Sequence, residues 1–68
     1  MLSVNEIIET IENDLEKVDK IIIDVSNLSA SDFEYLLNYL KSLDVDIEIE
    51  RYENKVYLIV SKIFENII

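Results

Sequence analysis

Apolar residues recur along this chain with two different periods, and the switches between them mark the elements. Val4, Ile8, Ile11, Leu15 and Val18 alternate spacings of four and three, which predicts an amphipathic helix over residues 3–18 whose seam Ile7 widens. Ser3 and Glu6 have capping-box spacing, and Leu2 and Ile7 can staple across that start. Glu6, Glu9, Glu12 and Glu16 form the opposite face, while Lys17 and Lys20 lie near the C-terminal end, where the helix dipole favours cations.

The period then changes to two. Lys20 to Val25 reads as a strand, with Ile21, Ile23 and Val25 on one face and Ile22 and Asp24 on the other. Ser26-Asn27-Leu28 is a turn. A second helix follows, reaching to about Leu43, with Phe33, Leu36, Leu37, Leu40 and Leu43 as its buried stripe. Two starts fit it: Ser29 as N-cap with Asp32 at the third position and Leu28 stapled to Phe33, or Ser31 with Glu34. With no glycine to end the helix, the turn falls to Asp44.

Val45 to Tyr52 alternates strictly. Val45, Ile47 and Ile49 face one way, and Asp46, Glu48, Glu50 and Tyr52 face the other. Glu53-Asn54 is the hairpin turn, with Asn54 suited to a positive φ. A loop closing Tyr52 against Lys55 pairs Arg51 with Val56, Ile49 with Leu58 and Ile47 with Val60, which keeps the apolar residues together; a three-residue loop mixes the faces. Val56-Tyr57-Leu58-Ile59-Val60 is the strand-like run that is apolar on both faces, so it takes the centre of the sheet.

The expected fold is therefore α+β, in the order helix-strand-helix-strand-strand, as one small domain. The three-stranded sheet has order 1-3-2, the crossover is right-handed, and the helices lie on one face. After Val60, Ile63, Phe64, Ile67 and Ile68 return to helical spacing. This short apolar tail is expected to pack on the domain or on a second copy.

The other sheet face is the informative surface. It gathers Ile22, Tyr57 and Ile59, ringed by Asp24, Asp46, Glu48 and Glu50. An apolar centre with a polar rim is the anatomy of an interaction surface; the plain alternative is a strand that tolerates some exposure. If the first helix crosses this face instead, the patch disappears. Phe64 and Ile67 of the tail join the same apolar set. The row Asp46, Glu48, Glu50 has a spacing comparable to successive phosphates of a nucleic-acid strand, which suits occupation of a basic groove. It also suits a solvated edge strand that uses charge against aggregation.

Composition narrows the chemistry. The chain has 68 residues, 15 Asp plus Glu against 6 Lys plus Arg, and a formal net charge of −9. So acidic a chain repels nucleic acid and anionic membranes and favours basic partners. It contains no Cys, Gly, Pro, His or Trp, which removes disulfides, Cys/His metal sites, glycine-rich phosphate loops and histidine acid/base catalysis. Neither a calcium-loop motif nor a Glu-x-x-His pair is present. The expectation is no enzyme, no metal and no cofactor. Asp24 is the best single site residue, with Lys20, Arg51 or Lys55 as partner. Arg51 is expected to pair with a carboxylate such as Asp32 or with a helix end. Tyr35 and Tyr39, one turn apart, offer a stacking platform for bases, but the net charge argues against it and favours a dimer contact or plain partial burial. The N-terminus lacks the basic start of a signal peptide, so a soluble cytoplasmic protein is expected.

The acidic helix, the strand Lys20-Ile21-Ile22-Ile23-Asp24, the Ser-x-x-Asp-Phe-Glu helix start at Ser29 to Glu34 and the charged hairpin from Ile47 to Val60 together resemble the small acidic proteins of archaeal viruses, including anti-CRISPR inhibitors that act as dimers. The resemblance implies a stoichiometric inhibitor that binds a basic surface of a host complex. Abundant Ile, Glu, Lys and Tyr without Cys equally suits a thermophile protein. The functional expectation is a non-catalytic homodimer, joined through the open sheet face or the tail, whose acidic surface engages a basic protein. The alternative is an assembly module whose main partner is itself.

Overall fold

The computed structural model describes residues 3–63. The chain folds as α1 (Val4–Leu15), β1 (Lys20–Asp24), α2 (Ala30–Lys41), β2 (Val45–Tyr52) and β3 (Lys55–Lys62), with the antiparallel sheet ordered β1-β3-β2. The expected architecture and strand order are those observed. The expected hairpin register is too: Tyr52 lies opposite Lys55, Arg51 opposite Val56, Ile49 opposite Leu58 and Ile47 opposite Val60. Leu2, and with it the N-terminal staple, and Phe64, Ile67 and Ile68 of the apolar tail lie outside the described residues; Ile63, the first apolar residue of that tail, is 48% exposed.

Both helices start at the expected serine. Ser3 Oγ accepts from Glu6 N–H at 3.2 Å, and Ser29 Oγ accepts from Asp32 N–H at 3.2 Å, so the Ser29 frame is the one used. The helix ends differ from expectation. α1 stops at Leu15, where Lys17 and Val18 N–H groups share the Asp14 carbonyl, both at 2.9 Å. The chain must turn there because Asp19 already pairs with the sheet, accepting from Lys62 N–H at 2.8 Å. Val18 thus leaves the seam and is 45% exposed. α2 ends through Ser42, not Asp44: Ser42 N–H and Oγ–H both donate to the Tyr39 carbonyl, at 3.0 and 2.6 Å.

The two helices cover the same sheet face. Ile7, Ile11 and Leu15 of α1 and Leu36 and Leu40 of α2 meet Ile21, Val25, Leu58 and Val60 in one core. Each fully buried side chain of this kind contributes about 1.5–3 kcal/mol of burial free energy. Cover fails at the far end of the hairpin. Ile49 faces the helices' side yet is 48% exposed, and Ile47 and Val56 are half-buried. The loss is lateral: Leu58, directly opposite Ile49 on the central strand, is 0% exposed, so the helices cover β3 at that height but not the outer strand β2. Arg51 sits on this outer strand, exposed. The one ion pair among the described residues joins Lys55 to Asp24, so the expected Arg51–Asp32 pair does not form.

The hairpin turn brings one more correction. Positive φ falls on Glu53 (φ 56°), not on Asn54. A positive value at the first of two loop residues is the sign pattern of a II′ turn, in which loop geometry rather than residue preference selects the position.

Candidate binding face

Both helices occupy one side, which leaves the opposite sheet face without a covering element among the described residues. The ladder builds that face row by row. Lys20, Ser61 and Asp46 form the first row; Ile22, Ile59 and Glu48 the second; Asp24, Tyr57 and Glu50 the third; Lys55 and Tyr52 extend the end. Every residue expected on this surface from the three strands is brought together there.

Exposure within the patch is uneven. Ile59, in the middle of the central strand, is only 7% exposed, and Tyr57 is half-buried. Ile22, on the edge strand β1, is 63% exposed. The apolar surface on offer is therefore concentrated at the β1 edge, not at the centre.

The carboxylates divide into two kinds. Asp24 is committed internally. Its Oδ1 accepts from Ser26 N–H at 2.9 Å and from Ser26 Oγ–H at 2.6 Å, and Lys55 Nζ lies 3.7 Å from Oδ2. The Ser26 hydroxyl bond first, then the Ser26 backbone bond, with Lys55 adding to them, hold this carboxyl below the ordinary aspartate value. Of the three partners expected for Asp24, Lys55 is the one supplied. Asp46, Glu48 and Glu50 are exposed on β2, and no ion pair among the described residues engages them. Successive members of this row stand about 6.6 Å apart.

Tyr35 and Tyr39 lie on α2, across the sheet from this face. Tyr35 is exposed. Tyr39 is half-buried, and its hydroxyl donates to Glu12 Oε1 of α1 at 2.5 Å. That bond and partial desolvation push its phenol up to about 12. Tyr39 is thus a strut between the helices, and the two rings are not equally available for stacking. Sequence reasoning missed this strut, and it missed Ser26. The Asp24-x-Ser26 spacing, which favours a local side-chain turn, was the available signal for the second.

Among the described residues no cluster of three or more acidic side chains is placed to hold a metal ion, and no helix is long and apolar enough to cross a membrane. Comparison with protein-family models, curated proteins and solved structures finds no match.

Proposed function

We propose that this protein is a non-catalytic binding module, acting as a homodimer, whose acidic sheet face engages a basic protein surface. One observation carries the reading. Asp46, Glu48 and Glu50 stand exposed in a row on an edge strand, unpaired among the described residues, beside the apolar Ile59 and Tyr57. A partner with regularly spaced cations, such as a groove that holds a nucleic-acid backbone, offers complementary charge to such a row. A stoichiometric inhibitor of a nucleic-acid-binding protein is the biological role this chemistry suits, in keeping with the resemblance to small acidic viral proteins. The cytoplasm is the compartment that goes with it.

Salt is the test. Screening shortens from about 10 Å at 0.1 M to about 3 Å at 1 M. A basic protein held by this row is retained by the immobilised chain at the lower salt and released at the higher. Retention that is indifferent to salt overturns the reading. The second reading, a module that assembles only with itself, draws on the exposure of Ile22; it gains if the chain captures only its own copies at either salt.

A further inference from the structure

The two free edges of the sheet differ in what they can pair with. Hydrogen bonds at the ends of β1 fix its phase. Val25 N–H donates to the Val56 carbonyl at 2.9 Å, and Lys62 N–H donates to the Asp19 carbonyl at 2.8 Å. Odd-numbered residues of β1 therefore turn their backbone groups toward β3. Lys20, Ile22 and Asp24 turn theirs outward. No bond among the described residues satisfies those outward groups. By the same alternation, Val45, Ile47, Ile49 and Arg51 point their backbone groups outward from β2.

β2 cannot pair with its own copy without penalty. Any antiparallel register that keeps the helices on one side sets members of Asp46, Glu48 and Glu50 opposite each other or opposite Tyr52 or Asp44. In the register centred on Glu48, Asp46 meets Glu50 and Glu48 meets itself, at the closer, non-hydrogen-bonded positions. β1 behaves in the opposite way. Centred on Ile22, Lys20 meets Asp24 of the second copy, Ile22 meets Ile22, and Ile21 meets Ile23. The outward backbone groups of Lys20, Ile22 and Asp24 then come into bonding phase together. A shift of one pairing step in either direction sets Ile22 against Lys20 or Asp24. Paired antiparallel, β1 against β2 of another copy matches in phase only with the two helical layers on opposite faces; paired parallel it keeps them on one face, but that contact is head-to-tail and builds a chain or ring of copies rather than a two-fold dimer.

We propose that two copies of this chain join through the outer edges of β1, antiparallel about a two-fold axis at Ile22, to form one six-stranded sheet. This deepens the dimer part of the reading above by naming its interface. It accounts for an isoleucine left 63% exposed on an edge strand that carries no charge at its middle. It also leaves the acidic faces of both copies open on the same side. The two Asp46–Glu50 rows stand five strand spacings apart, about 24 Å.

Sedimentation mass against concentration tests this. The wild-type chain approaches twice its 8.0 kDa mass. Ile22→Glu places two carboxylates at the axis and weakens the dimer roughly tenfold or more, with the circular-dichroism spectrum unchanged. Tyr57→Glu, on the face but away from the edge, leaves the doubled mass intact. Lys20→Asp and Asp24→Lys chains are each monomeric alone and form a one-to-one dimer when mixed. A wild-type mass of 8.0 kDa at every concentration overturns the dimer altogether. A dimer dissociated by Tyr57→Glu, or untouched by Ile22→Glu, overturns the edge interface but leaves a dimer in place. Failure of the two folded charge variants to pair overturns the register.

Discussion

The Ser26 hydroxyl stands in for a strand carbonyl: Val56 N–H donates to Ser26 Oγ at 2.8 Å, while the same hydroxyl donates to Asp24 Oδ1 at 2.6 Å. One side chain thereby closes the β1–β3 ladder and clamps the carboxylate at its end. Ser26→Ala leaves the Val56 N–H without that partner and costs about 1–2 kcal/mol, readable as a lower urea midpoint. The same variant lets the Asp24 carboxyl rise toward its ordinary value, because the Ser26 hydroxyl is the first cause of its depression. A carboxyl titration by NMR checks this. Since folding lowers that pKa, the associated stability is present above the unfolded value of 3.8 and is lost as pH falls through the folded one.

Tyr39 and Glu12 tie the two helices together over the core. The phenol is raised from 10.0 to about 12. A raised pKa means that its contribution is complete below pH 10.0 and disappears as pH climbs through about 12. Tyr39→Phe costs about 0.5–1 kcal/mol at neutral pH, the figure reduced for partial exposure. It also removes the loss of stability specific to that alkaline window. Thermal melts of both chains between pH 8 and pH 12 provide the check.

Ile49 and Leu58 are opposite each other in the ladder and face the same side, yet Leu58 is 0% exposed and Ile49 is 48% exposed. Leu58→Ala therefore opens a cavity and costs about 2–5 kcal/mol, whereas Ile49→Ala costs about 1 kcal/mol or less. Equal costs in chemical denaturation would mean that α2 reaches further over the hairpin than described.

Glu53 holds φ 56°, a region that costs a non-glycine residue about 1–2 kcal/mol. Glu53→Gly relieves that cost but adds up to about 1 kcal/mol of unfolded-state entropy. The net gain is about 0.5 kcal/mol, which raises the melting midpoint by about 2–4 °C.

Much of this fold was legible because its signals are local and redundant. The alternation of Val45 to Tyr52 and the two-sided apolar run Val56 to Val60 admit one register that keeps Ile47, Ile49, Leu58 and Val60 together, and that register is present. Ser29 was legible as a cap because Asp32 and Phe33 stand at the right distances from it. Where the reading failed, the deciding interaction was distant in sequence or depended on how far an element extends. Val18 continues the heptad, but Asp19 is needed by β3. Ile49 continues the buried face, but it lies on the outer strand β2, which the helices leave uncovered where they bury Leu58 beside it. Tyr39 is 27 residues from Glu12, and Ser26 is 30 from Val56. No periodicity encodes such pairs. The face itself was legible from strand parity alone; that Ile22 rather than Ile59 carries its exposed apolar surface followed only from β1 being an edge.

The central claim rests on Asp46, Glu48 and Glu50. The most direct measurement compares two baits in a lysate of the native host: the wild-type chain and a variant with all three residues replaced by Ser. These side chains are exposed and outside the core, so the variant keeps its fold and its melting midpoint. The account predicts that the wild-type chain retains a basic protein, that duplex DNA displaces it, and that the triple variant retains none of it. Equal retention of that protein by both baits, or no basic protein retained by either, would contradict the account.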